Sequence, residues 1–473
     1  MPPQTKVLVA IANWGTKNDA YLAQLINEYQ SMSFDVDVVV LSNLQKEFGD
    51  GVESVKVDLR GKAPWSLPFA HKAILASRVN EYDLFVYSED DTLVTEQNLR
   101  AFQSVSGTLS ETEVAGFFRF EKNPQGELHF PDVHGHFHWD PISVCAKGDF
   151  KFAHFTNEHS ACYALTKQQL RRAIDSGGFL VEPHSDGKYL LLESAATDPY
   201  TQCGMTKLVC ISHFEEFLVH HLPNKYVDIG FGLGGLEFGR QIDALLHHGE
   251  NGCRSRSLFQ TETKLCHEYY SKNYYEPVAP EVLAAIPNGV RRVLTIGCGW
   301  GAMEAYLVQK GLHVAAIPLD AIISSAAAGA GVEFICSDFD GAKKTLEDRR
   351  FECILLSNVL HLVPNPVEIL ASFGDLIADG GVMILLSPNV PRILAYWRSR
   401  SNGLFSGAVK YDTTGVQPTS RRTLRAWLRK AGLKVDRITD VLSSRAESIG
   451  RFTLGLTDGV LASEFVVTAS KAQ

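Results

Sequence analysis

Short apolar runs alternate with helical patterns at two places along the chain, and this alternation constrains the fold more than any other feature. The first three runs are strand-like in length and in β-branched content: 6–12 (KVLVAIA), 36–42 (VDVVVLS) and 83–88 (DLFVYS). Helical spacing of apolar residues separates them over 19–31 and 67–80. Five further runs follow much later, at 291–297, 312–317, 332–336, 351–357 and 380–387. This order predicts two α/β domains with largely parallel sheets.

A glycine-rich segment separates the two sets of runs. Residues 228–241 hold five glycines in fourteen positions, which makes a continuous helix or strand costly there. The residues that follow, to about 265, are polar. A chain of 473 residues is long enough for two large domains. We therefore predict a first domain over 1–226, a linker over 227–265 and a second domain over 266–473.

The composition argues against several classes of protein. A formal net charge of −9 disfavours binding to nucleic acid or to an anionic lipid surface, since both need positive charge. No run of about 18 uncharged apolar residues occurs, so no transmembrane segment is expected. The nine cysteines are odd in number and include no CxxC pair, which fits a reducing compartment. The expected location is cytoplasmic.

An acidic cluster follows the third early run. Glu89, Asp90 and Asp91 stand directly after the predicted strand, at the carboxyl edge where open α/β sheets bind ligands. Three adjacent carboxylates repel one another, and a hard divalent cation such as Mn²⁺ or Mg²⁺ would remove that repulsion. The alternative is a solvated turn before a helix that begins near Glu96.

Three stretches around this cluster resemble the metal-dependent nucleotide-sugar glycosyltransferases of the GT-A fold. They are HKAILASRVNEYDLFVYSEDDTLVTEQNL, NEHSACYALTKQQLRRAI and ATDPYTQCGMTKLVCI. The resemblance implies a mixed sheet flanked by helices, a nucleotide-sugar donor and a glycan or small-molecule acceptor. It also implies roles for individual residues, with donor binding by Asn13, Lys72, Glu89 and Asp90 and catalysis by Asp91 and Asp198.

Asp198 and Lys72 each have a structural alternative. The resemblance makes Asp198 the general base that deprotonates the acceptor hydroxyl, whereas an aspartate before a proline also commonly caps a helix. It places Lys72 against the diphosphate of the donor, whereas a helical lysine is also commonly solvated.

Histidines complete the metal set that the resemblance implies. That set is Glu89, Asp90, Asp91, His220 and His221. The side chains of the two histidines would point opposite ways in an extended segment, so one of them at most should reach the ion.

A second group of histidines lies in DVHGHFHWDP. His134, His136 and His138 would share one face of a strand, which suits either a zinc site or a sugar pocket. The acceptor candidates are His136, His138, Trp139 and Asp140. A packed core tryptophan is the alternative for Trp139.

A glycine-rich turn opens the second domain. RRVLTIGCGWGAMEAYLVQKG puts Gly297, Gly299 and Gly301 after a strand and at the start of a helix, where the backbone can approach a ligand closely. Together with CSDFD, LLSNVLHLVPNP and DGGVMILLSPN, the turn resembles class I S-adenosylmethionine-dependent methyltransferases over 270–473. The resemblance implies a Rossmann-like fold with S-adenosylmethionine as cofactor.

The same resemblance implies individual cofactor contacts. The three glycines hold the amino-acid part, Asp338 binds the adenine amino group, and Asn358 lies beside the methionine portion. Pro318 stands where an acid usually holds the ribose hydroxyls. Either Asp320 replaces that acid, or ribose binding is poor and the domain is degenerate. For His361, both a catalytic and a core role are open.

The two resemblances together predict a bifunctional transferase. Metal-dependent glycosyl transfer would occur in the first domain and methyl transfer in the second, on a glycan or a glycosylated metabolite. Two alternatives stay open. One is a methyltransferase whose first domain only binds a carbohydrate or nucleotide, and the other is a non-enzymatic scaffold of two degenerate nucleotide-binding folds.

Overall fold

The computed structural model describes residues 4–185, 187–249, 256–391, 410–442 and 462–472. The chain divides into two compact units, an N-terminal unit over Met1–Leu246 and a C-terminal unit over His247–Gln473. Both units combine strands and helices, as the sequence predicts for a mixed α/β protein.

The N-terminal unit has strands β1 (Lys6–Asn13), β2 (Asp35–Ser42), β3 (Val52–Lys56), β4 (Leu84–Glu89), β5 (Thr92–Leu93), β6 (Glu113–Ala115), β7 (Phe118–Lys122), β8 (Leu128–Phe130), β9 (Trp139–Lys147), β10 (Phe150–Phe155), β11 (Cys162–Thr166), β12 (Thr206–Cys210), β13 (Leu218–His221) and β14 (Leu233–Gly234). Its helices are α1 (Asp19–Ser31), α2 (Ala70–Ser77), α3 (Glu96–Ser106), α4 (Lys167–Asp175), α5 (Leu191–Thr201) and α6 (Gly235–Leu246). Short 3₁₀ helices cover Pro64–Phe69, Ile211–Phe217 and Val227–Ile229.

The central sheet of this unit has the order β11-β4-β1-β2-β3. Strands β4, β1, β2 and β3 are parallel, and β11 pairs with β4 in the antiparallel sense. The early apolar runs form β1, β2 and β4, which confirms three predicted strands. Strand β1 is buried along almost its whole length, as expected for a strand with neighbours on both sides and helices on its faces. Two further sheets, of four and five strands, have the orders β6-β12-β10-β9 and β14-β8-β7-β13-β5.

The predicted linker over 227–265 differs from the structure in its first half. Residues 233–246 form β14 and α6, and α6 buries Phe238, whose ring centroid lies 4.4 Å from that of Phe130. A Cβ atom at Gly232 would lie 2.7 Å from the Cα atom of Pro131. This glycine therefore permits a close approach of two backbones, and the segment is not a flexible junction. Residues 250–255 lie outside the described residues.

The C-terminal unit has strands β15 (Arg292–Cys298), β16 (His313–Pro318), β17 (Glu333–Phe334), β18 (Phe351–Ser357), β19 (Ile377–Pro388), β20 (Leu433–Val441) and β21 (Glu464–Lys471). Its helices are α7 (Pro280–Ala285), α8 (Ala302–Gln309), α9 (Ala321–Ser324), α10 (Phe339–Leu346), α11 (Pro366–Gly374), α12 (Tyr411–Thr414) and α13 (Arg421–Lys430). Short 3₁₀ helices cover Cys266–Glu268, Ser325–Ala327 and Leu360–Leu362.

These seven strands form one sheet with the order β17-β16-β15-β18-β19-β21-β20. The first five are parallel, and β21 runs antiparallel between β19 and β20. Each of the five predicted late runs contributes a strand, although the edge strand β17 is shorter than predicted. The strand order reverses at β15, and ligands of open α/β sheets bind outside the carboxyl ends of strands at such a point.

Two chemical features apply to both units. None of the helices in the described part of the chain is long and apolar enough to cross a membrane. Within the described ranges, free thiols are carried by Cys145, Cys162, Cys203, Cys210, Cys298 and Cys353.

Candidate functional site

The acidic cluster of the N-terminal unit lies at the carboxyl edge of its central sheet. Glu89 ends β4, and Asp90 and Asp91 form the turn to β5. Asp90 accepts hydrogen bonds from Asn13 Nδ2 at 2.6 Å and from Asn18 Nδ2 at 2.7 Å. Asp90 and Asp91 are 7% and 8% exposed, so the alternative of a solvated turn is wrong for them. Asp90 holds the ends of β1 and β4 together.

Asp91 faces one of the two candidate histidines. His221 Nε2 lies 3.5 Å from Asp91 Oδ2, and its Nδ1 lies 2.5 Å from Glu121 Oε1. His220 instead stacks on Phe120, with the ring centroids 4.8 Å apart. Of the two histidines, His221 therefore lies beside the acids and His220 does not.

Burial controls the charge of the acids. Burial, and next the negative charge of Asp91, raises the pKa of Glu89 to about 8, which keeps that carboxyl protonated at neutral pH. Burial also opposes ionisation of Asp91, but the contact with His221 outweighs it and lowers the pKa of Asp91. Within the described residues, Glu89 Oε1 and Asp91 Oδ1 are buried without a hydrogen-bond partner.

The described residues contain no group of three or more His, Cys, Asp or Glu side chains placed to hold a metal ion. The predicted set of Glu89, Asp90, Asp91, His220 and His221 is therefore not a preformed cage. The zinc hypothesis for 134–138 fails for a second reason. These residues form turns that precede β9, so their histidines do not share the face of a strand.

Lys72 and Asp198 form an ion pair in the interior of the N-terminal unit. Lys72 is 2% exposed and Asp198 is 0% exposed. His184 Nε2 lies 3.3 Å from the second carboxylate oxygen of Asp198. Asp198 lies inside α5, with Pro199 after it, so its prediction as a helix cap is wrong, as is the prediction of a solvated Lys72. The ion pair joins the two residues that the resemblance to glycosyltransferases would make the general base and the contact to the donor diphosphate.

The acceptor candidates lie at the start of β9. Trp139 is fully buried and packs on Phe155, with the ring centroids 5.0 Å apart, so the alternative of a core tryptophan describes it. His138 Nδ1 lies 2.8 Å from the carbonyl oxygen of Trp139. Asp140 accepts a hydrogen bond from the backbone of Ile142. The ring of His136 lies 4.4 Å from that of its neighbour in the chain.

Several buried charged residues of this unit were not predicted from the sequence. Arg119 donates two hydrogen bonds to Asp132, at 2.5 and 3.1 Å, and both side chains are buried. Lys207 is 2% exposed and donates to the carbonyl oxygen of Glu158. The signal for Arg119 is the alternation in FRFEK, where charged side chains share one face of a short strand.

A cavity of about 500 Å³ lies at the carboxyl ends of β15 and β18 in the C-terminal unit. Its walls include the glycine turn, the residues after β18, the segment over 270–281 and the first residue of β21. This is the edge at which the reversal of strand order predicts a ligand. Gly297, Gly299, Gly301 and Asn358 all line it.

The glycines of the turn are required by packing of the chain itself. A Cβ atom at Gly297 would lie 2.5 Å from a methyl group of Val359, and one at Gly301 would lie 2.6 Å from Ala327 Cβ. A Cβ atom at Gly299 would overlap the carbonyl oxygen of Tyr274, which also accepts a hydrogen bond from the backbone of the next residue in the turn. The turn therefore packs directly against neighbouring segments of the chain. Its three glycines also line the cavity.

Two glutamates that the sequence did not single out meet at Asn358. Asn358 Nδ2 donates to Glu276 Oε1 at 3.0 Å and to Glu464 Oε1 at 2.9 Å. Lys272 Nζ lies 2.5 Å from Glu276 and donates to the carbonyl oxygen of Ser357 at 2.7 Å. Burial raises the pKa of Glu464, and the charge of Glu276 raises it further, against the opposing effect of the Asn358 hydrogen bond.

His361 is 1% exposed and also lines the cavity. Its Nε2 lies 2.8 Å from the carbonyl oxygen of Tyr270, so Nε2 carries the proton and Nδ1 carries the lone pair. In the described part of the chain, Nδ1 has no hydrogen-bond partner. Burial lowers the pKa of His361 to about 4, which keeps the ring neutral at physiological pH. The cavity therefore contains a buried, neutral proton acceptor.

Comparison with known protein families matches the region that supplies most of the cavity lining. Residues 270–438 match the family described as a methyltransferase domain. They include the glycine turn, Asn358 and His361. Residues 270–438 are a class I S-adenosylmethionine-dependent methyltransferase domain.

Individual relatives match a part of this chain, and this chain spans less than two thirds of the length of the two curated relatives named below. The ubiquinone biosynthesis O-methyltransferase of Xylella fastidiosa (strain 9a5c) is 29% identical over 167 residues, which are 33% of this chain and 65% of that protein. An uncharacterized methyltransferase of Mycobacterium bovis is 26% identical over 114 residues, 23% of this chain and 57% of that protein. A solved S-adenosylmethionine-dependent methyltransferase from Mesorhizobium loti is 17% identical with a TM-score of 0.30, and the match covers 40% of this chain and 95% of that one.

The cavity of the methyltransferase domain fits one half of S-adenosylmethionine better than the other. Its carboxylates and glycine turn suit the positively charged methionine part. The residues predicted for the nucleoside part do not line it. Asp320 caps α9 by accepting from the backbone of Ile323 at 2.7 Å, and Asp338 caps α10 by accepting from Gly341 at 2.7 Å. Direct contacts of these two aspartates with the cofactor stay a prediction.

Proposed function

We propose that the C-terminal unit transfers a methyl group from S-adenosylmethionine to a hydroxyl group of the acceptor. The observation that carries this proposal is His361 Nδ1, a buried and neutral proton acceptor on the wall of the cavity that the glycine turn borders. The O-methyltransferase activity named for the relative from Xylella fastidiosa supports a hydroxyl acceptor.

When bound, the cofactor supplies an activated methyl group on a positively charged sulfur. In the transfer, the methyl group would pass to the acceptor oxygen, and the electron pair of the broken carbon–sulfur bond would stay with the donor. His361 Nδ1 accepts the proton that the hydroxyl group loses. The Tyr270 carbonyl holds the ring of His361 in the tautomer that this step needs. The glycine turn and the residues after β18 hold the donor beside the acceptor, and such positioning supplies much of the rate of a methyl transfer.

A transfer assay tests the proposal. The full-length protein is incubated with S-adenosylmethionine that carries a tritiated methyl group and with a panel of phenols, catechols and sugars. We expect label in one or more hydroxylated acceptors, as a methyl ether. Label only in amines or thiols would contradict the hydroxyl acceptor, and an absence of turnover with every acceptor class would favour the non-catalytic scaffold.

A specific observation favours a second activity, metal-dependent glycosyl transfer from a nucleotide sugar by the N-terminal unit. Glu89 Oε1 and Asp91 Oδ1 are buried without partners within the described ranges, at the carboxyl edge of a parallel sheet and beside His221. Divalent cations such as Mn²⁺ and Mg²⁺ often bind through one or two protein carboxylates and complete their coordination with phosphate oxygens and water. Asp91 and His221 would supply the protein ligands, and Asp90 and Asn13 would position them.

The remaining roles depend on the ion pair of the N-terminal unit. Lys72 would contact the diphosphate and Asp198 would accept the proton of the acceptor, so each needs the buried pair to open when substrates bind. The acceptor would be a glycan or a glycosylated metabolite, which the C-terminal unit would then methylate.

Nucleotide binding with and without metal tests this second proposal. We expect UDP or GDP to bind in the presence of Mn²⁺ and to be released by EDTA, and Asp91→Asn to abolish the metal-dependent part. Asp140→Asn serves as a matched control, because it makes the same change of charge away from His221. Binding that persists unchanged in EDTA would instead favour a domain that only binds nucleotides.

A further inference from the structure

The cavity of the methyltransferase domain carries an excess of negative charge. Four carboxyl groups line it, those of Glu276, Glu281, Glu304 and Glu464, together with one ammonium group, that of Lys272. The ammonium group is already matched, because it lies 2.5 Å from the carboxylate of Glu276. The lining groups therefore favour a ligand with a positive charge.

Two of these carboxylates are held together on one wall. Glu276 precedes the glycine turn in the chain and Glu464 begins β21, yet both accept from the same amide group of Asn358. The backbone of Asn358 has φ +52°, a left-handed conformation that asparagine tolerates better than most residues. Two neighbouring carboxylates repel each other, and a bound cation would relieve that repulsion. We call Glu276 and Glu464 the acidic wall.

A second, independent polar group lines the same cavity. His361 is 1% exposed, and among the described residues its Nδ1 has no hydrogen-bond partner. A buried acceptor atom without a partner costs free energy unless a ligand satisfies it. The acidic wall and this nitrogen together indicate that the cavity binds both a positively charged group, at the wall, and a proton donor, at His361 Nδ1.

We propose that the acidic wall binds the positive charge at the transfer centre, so that the site holds S-adenosylmethionine more tightly than S-adenosylhomocysteine. This inference rests on the proposed methyltransferase function. The donor has a sulfonium group where the product has an uncharged thioether, whereas the ammonium and carboxylate groups of the amino-acid part are common to both. The wall therefore favours binding of the donor and release of the product.

The environment of Glu464 supports this role. Burial raises the pKa of Glu464, and the charge of Glu276 adds to the effect. A cation beside the wall acts in the opposite direction and favours the ionised carboxylate. Glu464 therefore gains more from a positively charged ligand than a solvated carboxylate would.

Calorimetry with three ligands tests the acidic wall in the full-length protein. The ligands are S-adenosylmethionine, S-adenosylhomocysteine and sinefungin, an analogue with an amine-bearing carbon in place of the methylated sulfur. In Glu464→Gln the amide oxygen can still accept from Asn358, but the charge is lost. We expect the affinities for the two ligands with a charged centre to fall about fivefold or more, and that for S-adenosylhomocysteine to change less than twofold.

Glu333→Gln is the matched control, because Glu333 is an exposed carboxylate of β17 that pairs with Arg349. It should leave all three affinities unchanged. Equal losses for the three ligands in Glu464→Gln would assign the wall to the shared ammonium group and overturn the inference, as would three unchanged affinities. If the wild-type protein bound none of the three, the proposed function would itself fail. If Glu464→Gln did not fold, Glu276→Gln would be expected to show the same selective loss.

Discussion

The ring of His361 is fixed by the carbonyl oxygen of Tyr270, which lies 2.8 Å from Nε2 and leaves Nδ1 as the lone-pair nitrogen on the cavity. Tyr270 lies before the glycine turn and His361 follows β18, so two distant segments determine the tautomer. A neutral imidazole in this tautomer can accept a proton without first losing one.

Replacement of His361 should separate catalysis from cofactor binding. His361→Asn removes the proton acceptor, and general-base catalysis typically contributes a factor of about 10² to 10⁴. We expect kcat to fall on that scale, with the affinity for S-adenosylhomocysteine nearly unchanged. His313→Asn, at an exposed histidine that begins β16, is the control and should keep full activity. A His361→Asn variant with normal kcat would assign this histidine to the core.

The stability of the C-terminal unit should depend on pH through the same histidine. Burial is the main cause that lowers the pKa of His361 from 6.5 to about 4. Between these values the unfolded chain binds a proton that the folded chain does not, so stability is full above pH 6.5 and falls as the pH decreases towards 4. At pH 5 the loss is about 2 kcal/mol.

The measurement compares wild-type protein with His361→Gln. The other buried histidines are present in both proteins, so the difference between the two pH curves reports His361 alone. The free energy of unfolding is followed for the transition that S-adenosylhomocysteine stabilises. The wild type should lose more stability than the variant between pH 7 and pH 5. Parallel pH curves for the two proteins would contradict a depressed pKa at His361.

The buried pair of Lys72 and Asp198 should show strong energetic coupling. Removal of one partner from a buried ion pair leaves an uncompensated charge and costs about 3–5 kcal/mol. We expect Asp198→Asn and Lys72→Met each to destabilise the N-terminal unit on this scale, and the double variant to cost clearly less than the sum. Denaturant unfolding of the four proteins measures the coupling. Additive single effects would show that the two side chains do not interact.

Gly299 should tolerate no side chain. A Cβ atom there would overlap the Tyr274 carbonyl oxygen, and overpacking of this kind typically costs about 1–3 kcal/mol. Gly299→Ala should therefore lower the melting temperature of the C-terminal unit even without ligand. Gly374→Ala is the control, since a Cβ atom in that helical position would make only ordinary contacts, at 3.6 Å or more, with Leu433. Equal melting temperatures for the two variants would contradict the close approach at Gly299.

Several parallel strands of the central N-terminal sheet and of the C-terminal sheet could be predicted because each is a short apolar run that is buried by its neighbours, as in β1, β2, β4, β15 and β18. The role of the glycine-rich segment could not be predicted, because the close approach at Gly232 depends on the position of Pro131 in the folded chain. The prediction of Asp198 as a helix cap was wrong because an Asp-Pro pair is the same sequence pattern at the start of a helix and inside one, as in α5. The glycine turn was found from a local pattern, whereas Glu464 reaches the cavity only through the pairing of β21 with β19.

Titration of the full-length protein with S-adenosylhomocysteine tests the central claim most directly, because it needs no knowledge of the acceptor. We predict one binding site per chain, heat that is unaffected by EDTA, and stabilisation of the C-terminal unit that grows with ligand concentration. Absence of heat together with an unchanged melting temperature at saturating ligand would contradict the claim that the cavity between the glycine turn and His361 is a methyl-donor site.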